Sequence, residues 1–407
     1  MRFAKHLPLL LAGLASATTL PPPPPSRVVE RAAAMCTPKA GGSSSVDDVP
    51  AIQSAIAACP SGTIVIPPSS TYYVNSVFSF KGCAGCTLQV EGLLKVASNT
   101  DYWKGRAAIF DMSGITGARV YSSTGAGVID GNGQDAWDRF ASDSSYARPT
   151  LFWINGSRDV VVQNLKFKNA PNVFHSARGG SSNVQYLDVE LSATSKSANL
   201  PKNTDGWDIG PASFVTVARA RVTNDDDCVA FKPGARYVTV TDITCIGSHG
   251  LSVGSLGSKS GATDTVQHVY VRGATMVNST KAAGIKLYPG GSAHGTAVVR
   301  NVTWEDVVVD GSEYAFQIQS CYGEDAAYCA GAPSTAQLSD VYVRGLSGVT
   351  SPKYGSTTMN INCPAKGTCG VALSGVTVRP PSGGEAKVLC AHTPGNLGVA
   401  CSSGASG

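Results

Sequence analysis

Charge is scarce in this chain and almost balanced. Lys and Arg total 32 against 28 Asp and Glu, only 15% of residues are charged, and the net charge is +4. No basic cluster or stripe stands out, so the electrostatic footprint of a nucleic-acid binder is missing. Long apolar runs are missing too. The apolar stretch at 7–14 falls well short of the roughly 20 residues that a membrane-spanning helix needs. No later stretch comes near that length, and no membrane association is expected. Strong helix formers do not accumulate over any long stretch either, which argues against a helical bundle.

What the chain has in quantity is turn and strand material. Glycine reaches 45, and Val, Ile, Thr, Ser and Asn dominate the middle, a mix suited to short strands joined by tight turns. After about residue 155 a small phrase recurs around Val161, Val184, Val215, Val238, Val269, Val302 and Val341, at spacings of about 23 to 39 residues. Alternating Val and Ile positions would point inward and build a continuous core, with insertions left to the turns. The uneven period disfavours propeller blades and leucine-rich repeats. The pattern predicts an all-β, single-domain, right-handed parallel β-helix, with an irregular β-sandwich as the alternative. Asp47-Asp48 before Val49–Ile56, with Pro50 in the first turn, predicts a short Asp-capped helix that closes the N-terminal end.

Residues 1–17 read as a secretory signal: Arg2 and Lys5 precede the apolar run, and Ala15-Ser16-Ala17 offers a small-residue cleavage site. Residues 18–35, with the Pro21–Pro25 run, read as a linker or pro-segment, which leaves 36–407 for the solenoid. The expected destination is extracellular. Twelve cysteines fit that oxidising compartment. Proximity alone pairs Cys36 with Cys59, Cys83 with Cys86, Cys228 with Cys245, Cys321 with Cys329, Cys363 with Cys369 and Cys390 with Cys401, although sequence leaves connectivity open. Cys228–Cys245 is expected to join adjacent coils. Asn155, Asn278 and Asn301 head glycosylation sequons.

One constellation carries chemistry. Asn203-Thr204-Asp205, Asp226-Asp227-Cys228, Ser248-His249-Gly250 and Gly284-Ile285-Lys286 follow one another at intervals of one to one and a half coils. Coils stacked in register would bring three carboxylates, a histidine and a lysine onto one wall. Glycoside cleavage needs a protonated carboxyl for the leaving oxygen and a carboxylate to activate water or attack. Neighbouring carboxylates can supply both states by raising one another's pKa. Taken singly, these residues read as an Asx turn, a solvated acidic turn or calcium site, a structural histidine and a surface lysine.

Together the four segments resemble the signature segments of glycoside hydrolase family 28, the polygalacturonase family, in order and spacing. Gly127-Val-Ile-Asp-Gly131 and the capping segment extend the resemblance over nearly the whole mature chain. It implies inverting hydrolysis without metal or cofactor, by a monomer acting on plant cell-wall pectin. Asp226 becomes the proton donor, Asp205 and Asp227 hold and activate water, and His249 supports the acid's protonation state. Lys286 contacts a substrate carboxylate, and Asn203 shapes the turn and touches sugar. The acid and base carboxyls of an inverting enzyme are expected roughly 6.5–9.5 Å apart.

The family typically carries Arg-Ile-Lys in its fourth segment, where this chain has Gly284-Ile285-Lys286. A glycine there is expected to open room beside the scissile sugar. Together with the 195–205, 282–288 and 317–325 stretches, it resembles the fungal members that cut galacturonan bearing xylose, that is, xylogalacturonan. The alternatives are exo-polygalacturonase, rhamnogalacturonan hydrolase, a calcium-dependent lyase and a non-catalytic carbohydrate-binding β-helix.

Overall fold

The computed structural model describes residues 34–407. The expected signal segment and almost all of the linker lie outside the described residues. From Met35 onward the chain winds into a right-handed parallel β-helix. One wall is a sheet of 12 parallel strands that succeed one another in chain order, from Phe78–Ser79 to Ser402–Ser403. The other strands form a 17-stranded sheet that bends around the rest of each coil.

The valine ladder is real but starts one residue earlier than the sequence phrase implies. Val160, not Val161, pairs with Val184, and the row continues through Val215, Val238, Val269, Val302, Val341 and Val371. Successive side chains in a strand face opposite ways, so a one-residue offset decides which one is buried. Val160 is buried, whereas Val161 is half-exposed beside Gln185. Corners are made by residues that tolerate a left-handed backbone. Asp188, Asp242 and Asp306 have φ near +55° and stack coil upon coil with Arg219 and Gly273.

Inside the wall that bears the site, Phe78, Phe110, Phe152, His175 and Trp207 occupy one inward register row. His175 is completely buried and neither ring nitrogen has a hydrogen-bond partner. The ring behaves as an aromatic filler between Phe167 and Trp207.

The expected helix spans Val49–Ala58 and buries Val49, Ile52, Ala55 and Ile56 over the first coils. Its start differs from expectation. The Asp48 carboxylate makes no cap hydrogen bond and instead accepts from the Gly41 and Tyr73 amides at 2.6 and 2.7 Å. Asp47 Oδ1 accepts from the Val49 amide at 3.3 Å and from Asn75 N at 3.0 Å. Three helices were not foreseen: Thr100–Trp103, Gln134–Ser142 and Ala326–Gly331. Gln134–Ser142 braces the segment before the site, since Asp138 Oδ1 accepts from Ser197 Oγ at 2.6 Å and Asn199 Nδ2 at 2.7 Å.

All six disulfides form as proximity predicts, and no free cysteine is left among the described residues. Cys228–Cys245 differs in placement. Both ends are fully buried and belong to consecutive strands, Asp227–Phe231 and Ala235–Ile246, so the bond crosses the interior of one coil. Asn278 and Asn301 are exposed with a left-handed backbone, while Asn155 is half-buried at a strand end.

Candidate active site

Strands Trp207–Ile209, Asp227–Phe231, Gly250–Leu256 and Lys281–Leu287 lie side by side in the 12-stranded wall. The turns entering them deliver Asn203, Asp205, Asp226 and His249 to one place, as stacking in register requires. Consecutive Asp226 and Asp227 should face opposite sides of a regular strand. The pairing register shifts between Asp227 and Val229, and this irregularity lets both carboxyls converge. Asn224 holds the turn from beneath, its amide donating to the carbonyls of Thr204, Asp226 and Asp227 at 2.8, 3.0 and 3.1 Å.

Asp226 keeps its side chain 17% exposed on the wall and is gripped on three sides. Its Oδ1 accepts from the Asp227 amide at 2.8 Å and lies 3.3 Å from His249 Nδ1, and its Oδ2 accepts from Asn203 Nδ2 at 3.1 Å. Burial works to raise its pKa. The hydrogen bond and charge of His249, with the charge of Lys286, prevail and hold it well below the usual carboxylate range. His249 is raised in turn, chiefly by its hydrogen bond to Asp226. Asn203, placed by a left-handed backbone (φ 60°), orients Asp226, and Arg148 fixes Asn203 by donating to its Oδ1 at 2.7 Å.

Asp227 is sealed from solvent, with a side chain only 1% exposed. Lys286 Nζ donates to its Oδ2 at 2.6 Å and Ser252 Oγ to its Oδ1 at 2.8 Å. Burial opposes ionisation, but the Lys286 and Lys281 charges outweigh it and lower the pKa. The structure therefore commits Lys286, expected to meet substrate, to a carboxylate of the chain itself. Asp205 behaves in the opposite way. Burial first, then the charges of Asp208 and Asp226, push its carboxyl well above the usual range, although Lys232 lies 3.6 Å away. Asp205 is thus the carboxyl of the set that holds a proton most firmly.

Oxygens from Asp205, Asp226 and Asp227 lie within 4.8 Å of one another. That is tighter than the roughly 6.5–9.5 Å expected between acid and base. Neighbouring strands run only about 4.8 Å apart, which sets this scale. Such a set of oxygens also suits a divalent cation. Here Lys232 and Lys286 already lie against the cluster and supply positive charge.

Several members of the site were not singled out from sequence. Lys232 bridges Asp205 and Asp208, the latter at 3.3 Å, and both carboxylates raise its pKa against burial. Asp208 sits in the middle of the strand Trp207–Ile209, three residues after Asp205, and no alternation in the sequence marks it. Arg148 comes from a distant segment with no local motif. Lys281, five residues before Lys286, has no ion pair among the described residues, and burial pushes its ammonium down to about 8.

Gly284 does not leave a vacant space. A Cβ at this position would sit 2.5 Å from the Gln317 carbonyl oxygen and 2.9 and 3.1 Å from Cδ and Cε of Lys281. The neighbouring backbone and the lysine stem already occupy the region that a side chain would enter.

The profile described as "Glycosyl hydrolases family 28" matches residues 59–402. The chain is 58% identical over 364 residues to a probable endo-xylogalacturonan hydrolase A of Aspergillus flavus, covering 89% of each chain. It is 57% identical over the same length to the endo-xylogalacturonan hydrolase A of Aspergillus tubingensis, again covering 89% of each. The crystal structure of the Aspergillus tubingensis enzyme superposes with a TM-score of 0.91 at 58% identity, covering 92% of this chain and 100% of that one. With the wall, its carboxylates and these similarities in place, the chain belongs to the glycosyl hydrolases of family 28.

Proposed function

We propose that this chain is a secreted, monomeric hydrolase that cleaves the galacturonan backbone of xylose-substituted pectin from within. The observation that carries the reading is the convergence of Asp205, Asp226 and Asp227 with His249 on one wall. Binding a sugar needs no clustered acids, whereas breaking a glycosidic bond does. The names of the Aspergillus relatives support the substrate and the endo mode. The six disulfides fit an oxidising, extracellular setting.

In this reading Asp226 and His249 act as a pair that shares one proton across their hydrogen bond. A sugar covering Asp226 excludes water and weakens the stabilisation of its charge, so the proton moves from imidazole to carboxyl and on to the leaving oxygen. Asp227, kept ionised by Lys286, holds the attacking water with Asp205. Inversion at the anomeric carbon follows when that water attacks from the face opposite the leaving group. A second reading has Asp205 as the donor, and its firmly held proton favours this alternative.

A galacturonosyl fluoride separates the two, because fluoride leaves without a proton donor. If Asp226 donates, Asp226→Asn loses polysaccharide cleavage but retains activity on the fluoride, while Asp205→Asn loses both. The reverse pattern would assign the donor role to Asp205. A chain that binds pectin equally well with and without Asp226 and releases no product would be a binder, not a hydrolase.

A further inference from the structure

The three lysines around the carboxylates are not equivalent. Lys286 is paired with Asp227, and Lys232 with Asp205 and Asp208. Lys281 is 4% exposed yet takes no ion pair, and no side-chain hydrogen bond acts on its ammonium. An unpaired buried cation is costly, and folds retain one chiefly where it meets a ligand. Its placement is specific. The Lys281 stem lies flat across two glycines on adjacent strands. A Cβ on Gly250 would come 2.9 Å from its Cγ, and one on Gly284 would come 2.9 Å from its Cδ. The ammonium then lies near enough to Asp226, Asp227 and Glu313 for their charges to act on it. Lys281 is thus a cation beside the carboxylates that no acidic side chain among the described residues pairs, and it is free to meet an anion.

We propose that Lys281 is a specificity-determining residue: its ammonium, seated over Gly250 and Gly284 on the cleft floor, binds the carboxylate of the galacturonate unit beside the scissile bond. This assignment rests on the hydrolase reading above and names the group by which that site recognises an acidic sugar.

Lys281→Met keeps the length of the stem and removes the charge. Losing an unpaired buried cation should leave folding intact, which a thermal melt verifies. KM on xylosylated galacturonan should rise by about tenfold or more, the effect of one lost charge-assisted hydrogen bond, with kcat far less affected. Lys281→Gln, neutral but still a donor, should raise KM in the same way. Calorimetric binding of free galacturonate should weaken in both variants. Unchanged KM and galacturonate binding, with only kcat and its pH profile moved, would show that Lys281 tunes the carboxylates and would overturn the proposal. If the wild-type chain releases no product from any galacturonan, the hydrolase reading fails instead. The calorimetric arm still decides whether Lys281 binds the acid.

Discussion

Gly284→Ala tests the seat that the two glycines form. The added Cβ would stand 2.5 Å from the Gln317 carbonyl oxygen, in a strand pair whose register fixes Gly284 opposite Gln317. It would also press on Cδ and Cε of Lys281 at 2.9 and 3.1 Å. The lysine can swing away, but the carbonyl belongs to the ladder and cannot move without parting the strands. Overpacking of this kind costs about 1–3 kcal/mol. For a chain of this size the melting temperature should fall by roughly 1–4 °C. A scanning-fluorimetry melt, with the unfolding rate at fixed temperature as a check on irreversibility, reads the effect. Pairing Gly284→Ala with Lys281→Met removes the lysine contacts and leaves the carbonyl clash, so the double variant should recover only part of the loss. A single variant as stable as wild type, with unchanged KM, would refute the close approach and the seat with it.

Other outcomes follow from buried ionisable groups. His175 has its pKa pushed down to about 3 by complete burial. Below about pH 6.5 the unfolded chain therefore takes up a proton that the folded chain refuses, and stability falls by about 1.4 kcal/mol per pH unit until pH reaches the folded value. By pH 4.5 the loss is about 3 kcal/mol, and His175→Phe should flatten that slope in pH-dependent melts; an unchanged slope would place the acid sensitivity elsewhere. Lys286→Met strands the Asp227 carboxylate without its ion pair and should cost about 3–5 kcal/mol. The same change should raise the Asp227 pKa and move the acid limb of the rate profile to higher pH. A stable variant with an unmoved profile would contradict the role given to this pair.

The sequence made the coil architecture legible because hydrophobic alternation, turn residues and uneven repeat length all pointed to one winding. It also placed the four site segments, since residues separated by whole coils must meet on one wall. What it could not supply was the second partner of each charge. Lys286 looked free because Asp227 follows Asp226, and only the strand irregularity after Asp227 turns that carboxyl toward it. Arg148 supports Asn203 from 55 positions away, with no local pattern to announce it. Gly284 read as open space because an absent side chain says nothing of what fills its place. The Gln317 carbonyl and the Lys281 stem occupy it. Asp48 read as a helix cap, yet long-range partners at Gly41 and Tyr73 claim its carboxylate.

The most direct test of the central claim follows products over time from xylosylated galacturonan and from bare polygalacturonate, with the anomeric proton read by NMR. The wild-type chain should depolymerise the xylosylated polymer, the first-formed reducing ends should have the β configuration opposite to the α linkage cut, and Asp226→Asn should abolish the release. An α anomer as first product would contradict single displacement. Cleavage confined to the bare polymer, or none at all, would contradict the proposed function.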